Sequence, residues 1–195
     1  MRKGHPILAA LLTAAIAGCE SSRPVPSSPS PVTEGTSAQP PAAPGPCVVG
    51  FDDLRGHGAA FTTHSSCGLA ITASAASWQA STTYGRPAPF VQFMSPGGAT
   101  TTGEITFASV DGPFTFVSVD IYSSTTKIPY EITGTLNGAP ALSLQNVQNN
   151  TFGNFATIIN AAGLVPIDKL RIRLTNPAAP CCTNPVGLDN VRVIR

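Results

Sequence analysis

The chain has 195 residues, of which 42 % are hydrophobic and 11 % charged, with 18 Gly, 19 Pro and a formal net charge of +1. The charged share is less than half the usual value of about 25 %. The near-neutral balance, with a pI of about 7.7, gives no sign of the basic stripe expected of a nucleic-acid binder. Abundant Thr and Ser with few long charged helix formers favour β structure.

Met1, Arg2 and Lys3 form a basic leader, and Ile7 to Ala17 is an apolar run of 11 residues. That run is too short for the ~20 residues of a membrane-spanning helix. Basic leader, short apolar core and small following residues predict a secretory signal. Ala15-Ile16-Ala17 fits ordinary small-x-small cleavage. Ile16-Ala17-Gly18-Cys19 resembles the lipobox of bacterial lipoproteins. The resemblance implies a diacylglycerol thioether on Cys19, cleavage directly before it, and acylation, such as by palmitate, of the new amine. Residues 1–18 are then the signal peptide. Two or more acyl chains anchor a protein durably where one does not. In that family an aspartate after the cysteine favours inner-membrane retention in some bacteria. Glu20 stands there instead, which points to the outer membrane of the cell envelope, on its periplasmic or surface face.

Residues 19–46 form the tether. Eight of the 27 residues from Glu20 to Pro46 are proline, and Val25 and Val32 are its only large aliphatics. Such a segment buries too little apolar surface to offset chain ordering and is expected to stay unfolded. In polyproline II form it would reach roughly 80 Å.

Residues 47–195 carry the folded part, with eight Lys plus Arg against eight Asp plus Glu. Val48 to Leu54, Ala70 to Ser74 and Phe90 to Phe93 read as strands. Ile105 to Asp111 and Phe114 to Ile121 are consecutive strands about a Gly112-Pro113 turn, the second apolar on both faces and therefore central. Tyr130 to Leu136 and Ala141 to Leu144 flank Asn137-Gly138, the strongest short hairpin signal. Leu170 to Leu174 alternates with Arg171 and Arg173 outward, and Val191 to Arg195 does the same. Ala156 to Leu164 has room for one short helical turn. About nine or ten antiparallel strands at this spacing predict an all-β sandwich or barrel. "FDDL", "FTFVSVDIYSS", "ITGTLNG" and "GLDNVRVI" resemble the jelly-roll domains of exported bacterial proteins, akin to galactose-binding-like and carbohydrate-binding modules. That resemblance implies a jelly-roll-like antiparallel β-sandwich; the fold hosts many roles and does not by itself assign one.

Setting Cys19 aside leaves an even four cysteines, as suits an oxidising compartment. Cys181 and Cys182 are neighbours, ~3.8 Å apart at Cα, below the usual disulfide range. Removing that pairing leaves Cys47–Cys181 with Cys67–Cys182, or Cys47–Cys182 with Cys67–Cys181; one bridge with two free thiols is the alternative. The spacing matches no common zinc pattern.

His57 and His64 are the only histidines after the signal. No G-x-S-x-G, HExxH, phosphate-binding glycine loop or EF-hand loop is present, so no catalytic residues are assigned and an enzyme is not expected. The resembled modules often hold a structural calcium near the terminal strands. By that resemblance Asp53 and Asp189 are candidate ligands, with Asp52 and Asn190 as lesser ones; turn and bulge chemistry is the alternative reading. Trp78 and Tyr84 bracket a polar stretch and are the candidate aromatic platform for a sugar. The expectation is a noncatalytic, membrane-anchored binding module for polysaccharide. The alternative is a structural lipoprotein that binds an envelope protein.

Overall fold

A computed structural model describes residues 45–83, 85, 88–96, 99–179 and 183–195. The signal peptide, Cys19, most of the tether, Tyr84, Cys181 and Cys182 lie outside the described residues.

Thirteen strands are described: β1 (Pro46–Val49), β2 (Thr63–Ser66), β3 (Leu69–Ser74), β4 (Trp78–Ser81), β5 (Phe90–Ser95), β6 (Thr101–Ser109), β7 (Phe114–Ser123), β8 (Ile128–Leu136), β9 (Ala139–Gln148), β10 (Phe155–Ile159), β11 (Pro166–Ile167), β12 (Lys169–Asn176) and β13 (Asn184–Ile194). They form two antiparallel sheets. The seven-stranded sheet runs β10-β7-β13-β5-β4, with β1 also on β13 and β11 on β7; the six-stranded sheet runs β2-β3-β6-β12-β8-β9. The chain passes repeatedly between the two, as in a jelly roll. The expected all-β sandwich is observed, with more strands than the alternation pattern revealed. The additional ones are short: β2 and β4 have four residues and β11 two.

Asn137-Gly138 makes the expected hairpin between β8 and β9, with φ of 52° and 80°. The Gly112-Pro113 turn does something else. It carries the chain from β6 in one sheet to β7 in the other, so the two strands do not pair. Among the described residues there is no helix. Phe155–Ile159, where a helical turn was expected, pairs with β7 from Tyr122 to Ser118. Branched Ile158 and Ile159 suit a pleated edge.

Both inner faces supply the core. Phe93, Phe107, Phe116, Ile105, Ile132, Ile172, Leu174 and Leu188 are fully buried, each contributing about 1.5–3 kcal/mol by leaving water. Strand β7 fills the core with Phe114 and Phe116 and then with Val119 and Ile121, which simple alternation forbids. The β7–β13 register shifts between Asp189 and Arg192 and again between Arg192 and Val193. Asn190, at φ 47°, sits in the first irregularity. One extra residue on each strand flips its facing, so Val186 and Leu188, then Val191 and Val193, all point inward.

The cysteine pairing differs from expectation. Cys47 is bonded to Cys67, with their Cα atoms 6.1 Å apart. The bridge belongs to the pairing that was discarded because its other half would join neighbouring residues. A Cys47–Cys67 bond does not require that half to form. It forms because β1 lies on the end of β13, Cys47 opposite Val193, and the β2–β3 turn folds over that same end. There Arg195 donates from Nη1 to the Cys67 carbonyl at 2.8 Å, while its backbone N–H donates to Gly45 at 3.0 Å.

Candidate functional site

The outer face of the six-stranded sheet is polar around β12. Ile172 and Leu174 of β12 point into the core, so Arg171, Arg173 and Thr175 point out. Arg173 lies opposite Glu104 of β6 on one side and Glu131 of β8 on the other. Glu131 in turn lies opposite Gln145 of β9. One cross-strand row therefore reads Glu104, Arg173, Glu131, Gln145.

The two arginines and two glutamates form an alternating ring. Arg171 Nε stands 3.8 Å from Glu104 Oε2, and its Nη2 donates to Glu131 Oε1 at 3.4 Å. Arg173 Nε stands 3.8 Å from Glu104 Oε2, and its Nη1 3.6 Å from Glu131 Oε2. The arginines are nearly half exposed, and exposed ion pairs are worth at most about 1 kcal/mol each. Their main effect is to hold four long side chains in fixed positions, with Arg171 Nε donating also to Thr133.

At the Arg173 end of this ring is a groove of about 400 Å³. Arg173, Glu131 and Thr175 line its floor. Thr102 closes one side, and Gln145, Asn146 and Val147 of β9 the other, with Pro129 and Tyr130 at the end. The volume suits a small ligand. The lining offers guanidinium and amide donors, carboxylate and amide acceptors, a hydroxyl row and two aliphatic patches. The alternation of "LRIRL" turns Arg171 and Arg173 outward, as expected from the sequence. Their convergence depended on the register among β6, β12, β8 and β9, which no local pattern carries.

Of the expected aromatic platform, Tyr84 lies outside the described residues and Trp78 is in the core. Trp78 is 3 % exposed. Its Nε1–H donates to the Ser74 carbonyl at 3.1 Å and its ring packs on Phe93 at 4.8 Å between centroids. The indole is a core residue whose polar atom is satisfied internally, because β4 is drawn into the seven-stranded sheet by Phe93 opposite Trp78.

The candidate calcium ligands divide. Asp52 and Asp53 are exposed, and Asp53 Oδ1 faces His64 Nε2 at 3.8 Å. Asp189 is 2 % exposed, and its Oδ1 has no hydrogen-bond partner among the described residues. Burial pushes its carboxyl up to about 7, and the Asp52 and Asp120 charges add to the effect, against a backbone hydrogen bond from Asn190 and the Arg192 charge. Asn190 turns its amide nitrogen to Asp120 Oδ2 at 3.0 Å, which is a donor contact. Among the described residues no group of three or more His, Cys, Asp or Glu side chains is placed to hold a metal ion. Of the four candidates, Asp189 is buried by the bulge at Asn190 while Asp53 stays on the surface beside His64.

His64 is mostly buried beside Phe51 and Phe61, 5.7 and 6.3 Å between ring centroids. His57 is exposed, and its Nδ1 accepts from Thr82 N–H at 3.3 Å. Neither histidine lines the groove.

No family model matches the chain, and no curated protein does. Solved structures do. A family 29 carbohydrate-binding module from Piromyces equi, CBM29_1, aligns over 78 % of this chain and 91 % of its own, at 9 % identity and TM-score 0.44. A variant of CBM29-2 complexed with mannohexaose aligns over 78 % and 92 %, at 13 % and 0.44. The family 32 module of C. perfringens NanJ, in complex with galactose, aligns over 67 % and 98 %, at 12 % and 0.42.

Proposed function

We propose that the sandwich is a noncatalytic glycan-binding module whose ligand lies in the groove on the six-stranded sheet. The carrying observation is the composition of that groove: Arg173, Glu131, Thr175 and Gln145 present donors and acceptors side by side on one rigid sheet face. Vicinal sugar hydroxyls each donate and accept, so a neighbouring guanidinium and carboxylate can grip both. Sites built on strands hold such groups more exactly placed than loops do. Isothermal titration of the sandwich against neutral hexaoses of glucose, mannose, galactose and xylose, and against one uronate hexaose, tests this. Saturable binding to one of them that Gln145→Ala weakens supports the reading; absence of binding across the panel overturns it.

The same proposal places the module outside the cytoplasm, held by a lipid on Cys19 and spaced from the membrane by the tether. What supports this is the run Ile16-Ala17-Gly18-Cys19 directly after the apolar segment.

A second reading, a protein partner in the envelope, is favoured by β9. It is an edge strand of ten residues with no charged side chain, the kind of open edge to which another chain adds. A stable co-purifying protein lost on Ser143→Lys, with no glycan bound, would favour it.

A further inference from the structure

Beyond the groove, β9 runs on to a loop with an unusual occupant. Phe152 is 76 % exposed and has φ 51°, followed by Gly153 at φ 83°. A bulky L-residue rarely adopts that backbone conformation, and holding it there costs free energy. Burial does not compensate, since the ring is in solvent.

The loop around Phe152 is nevertheless pinned. Ser123 N–H donates to Thr151 Oγ1 at 2.9 Å, and Thr151 Oγ1 donates to the Ser123 carbonyl at 2.8 Å. Gly153 N–H donates to that same carbonyl at 3.1 Å, and Asn154 N–H to Thr151 at 3.0 Å. Asn150 Nδ2 donates to Thr125 at 3.4 Å. A rigid mount, a strained backbone and an exposed ring together describe a side chain that is presented.

We infer that Phe152 is an aromatic stacking residue for the glycan of the groove, extending that site past the end of β9. This rests on the groove reading. Val147 lines the groove, and five residues further on, at most about 18 Å of chain, comes Phe152. The surroundings select a neutral, hydroxyl-rich partner. No charged residue occurs from Asn137 to Ile167, and Asn149 and Asn154, within three residues of Phe152 in sequence, are exposed. The apolar C–H face of a pyranose lies flat on a phenyl ring while its hydroxyls meet the amides. An anionic membrane is a poorer fit: Lys127 on the adjoining β7–β8 loop is one cation, where recruitment uses a cluster of 4–8.

Titration of the wild type, Phe152→Gly, Phe152→Trp and Gln145→Ala with the neutral hexaose that binds best, and with its monosaccharide, tests the inference, alongside thermal melts. Phe152→Gly is expected to weaken hexaose binding about tenfold, to leave the monosaccharide nearly unaffected, and to melt no lower than wild type because glycine relieves the backbone strain. Phe152→Trp is expected to retain binding. If Gln145→Ala weakens the hexaose and Phe152→Gly does not, the groove reading stands and this inference falls. If the wild type binds no hexaose, both fall. Sedimentation with phosphatidylcholine–phosphatidylglycerol vesicles that is lost in Phe152→Gly, with glycan binding unchanged, overturns it in favour of a membrane.

Discussion

Asp189 and Asp120 are register partners across β13 and β7, yet among the described residues only Asp120 is within ion-pair distance of Arg192. Asp120 Oδ1 is 3.3 Å from Arg192 Nη1, and Asp120 also accepts from Asn190 and from Thr157 at 2.6 Å. Asp189 is left with a buried oxygen lacking a partner among the described residues. Two neighbouring carboxylates with one guanidinium cannot both ionise cheaply in a buried setting.

Asp189 therefore opposes folding at neutral pH. Its carboxyl is raised to about 7 in the fold from an ordinary 3.8. Between those values the folded chain keeps a proton that the unfolded chain has lost. Stability is expected to be highest near pH 4, to decline as pH rises toward 7, and to flatten above it. Asp189→Asn should remove that slope and stabilise the protein at pH 7.5 by about 2–4 kcal/mol. Urea melts of both proteins at pH 4.5, 6 and 7.5 check this; a wild-type stability that rises through that range would contradict it.

Breaking the Cys47–Cys67 bridge frees a loop closed over a sequence separation of 20 residues. Cys67→Ser is expected to cost about 3 kcal/mol in the chain-entropy model. Equilibrium unfolding should show the same loss on mild reduction of the wild type, and reduction should leave the variant's stability unchanged if this bridge is responsible.

Trp78→Ala is expected to destabilise by about 3–5 kcal/mol, as for other buried aromatic truncations. Loss of ligand binding in that variant would report unfolding, not a missing contact. Trp78→Phe should melt lower but bind like wild type. Gly103→Ala acts on the same spot from β6: an added Cβ would lie 2.6 Å from the Phe93 ring and 2.7 Å from the indole. It is expected to lower the melting temperature without touching the groove. Calorimetry with parallel titration separates the two effects.

Cys19→Ser is expected to move the protein from the membrane pellet to the soluble fraction. Mass spectrometry of the mature wild type should show cleavage before Cys19 and a lipid increment on it. An intact mass beginning elsewhere, or an unmodified thiol at that position, removes the anchor.

Local chemistry carried some of this architecture plainly. Alternating short runs mean strands because side-chain direction repeats every two residues, and Asn137-Gly138 means a hairpin because both residues accept positive φ. Those signals are written within a few residues of where they act. Facing and convergence are not. The paired irregularities that turn Phe116 and Val119 both inward, the burial of Trp78 against Phe93, the bond from Cys47 to Cys67 and the row Glu104–Arg173–Glu131–Gln145 all depend on which strand lies beside which, and in what register. A one-residue slip would invert every one of those faces, so only the assembled sheets could decide them.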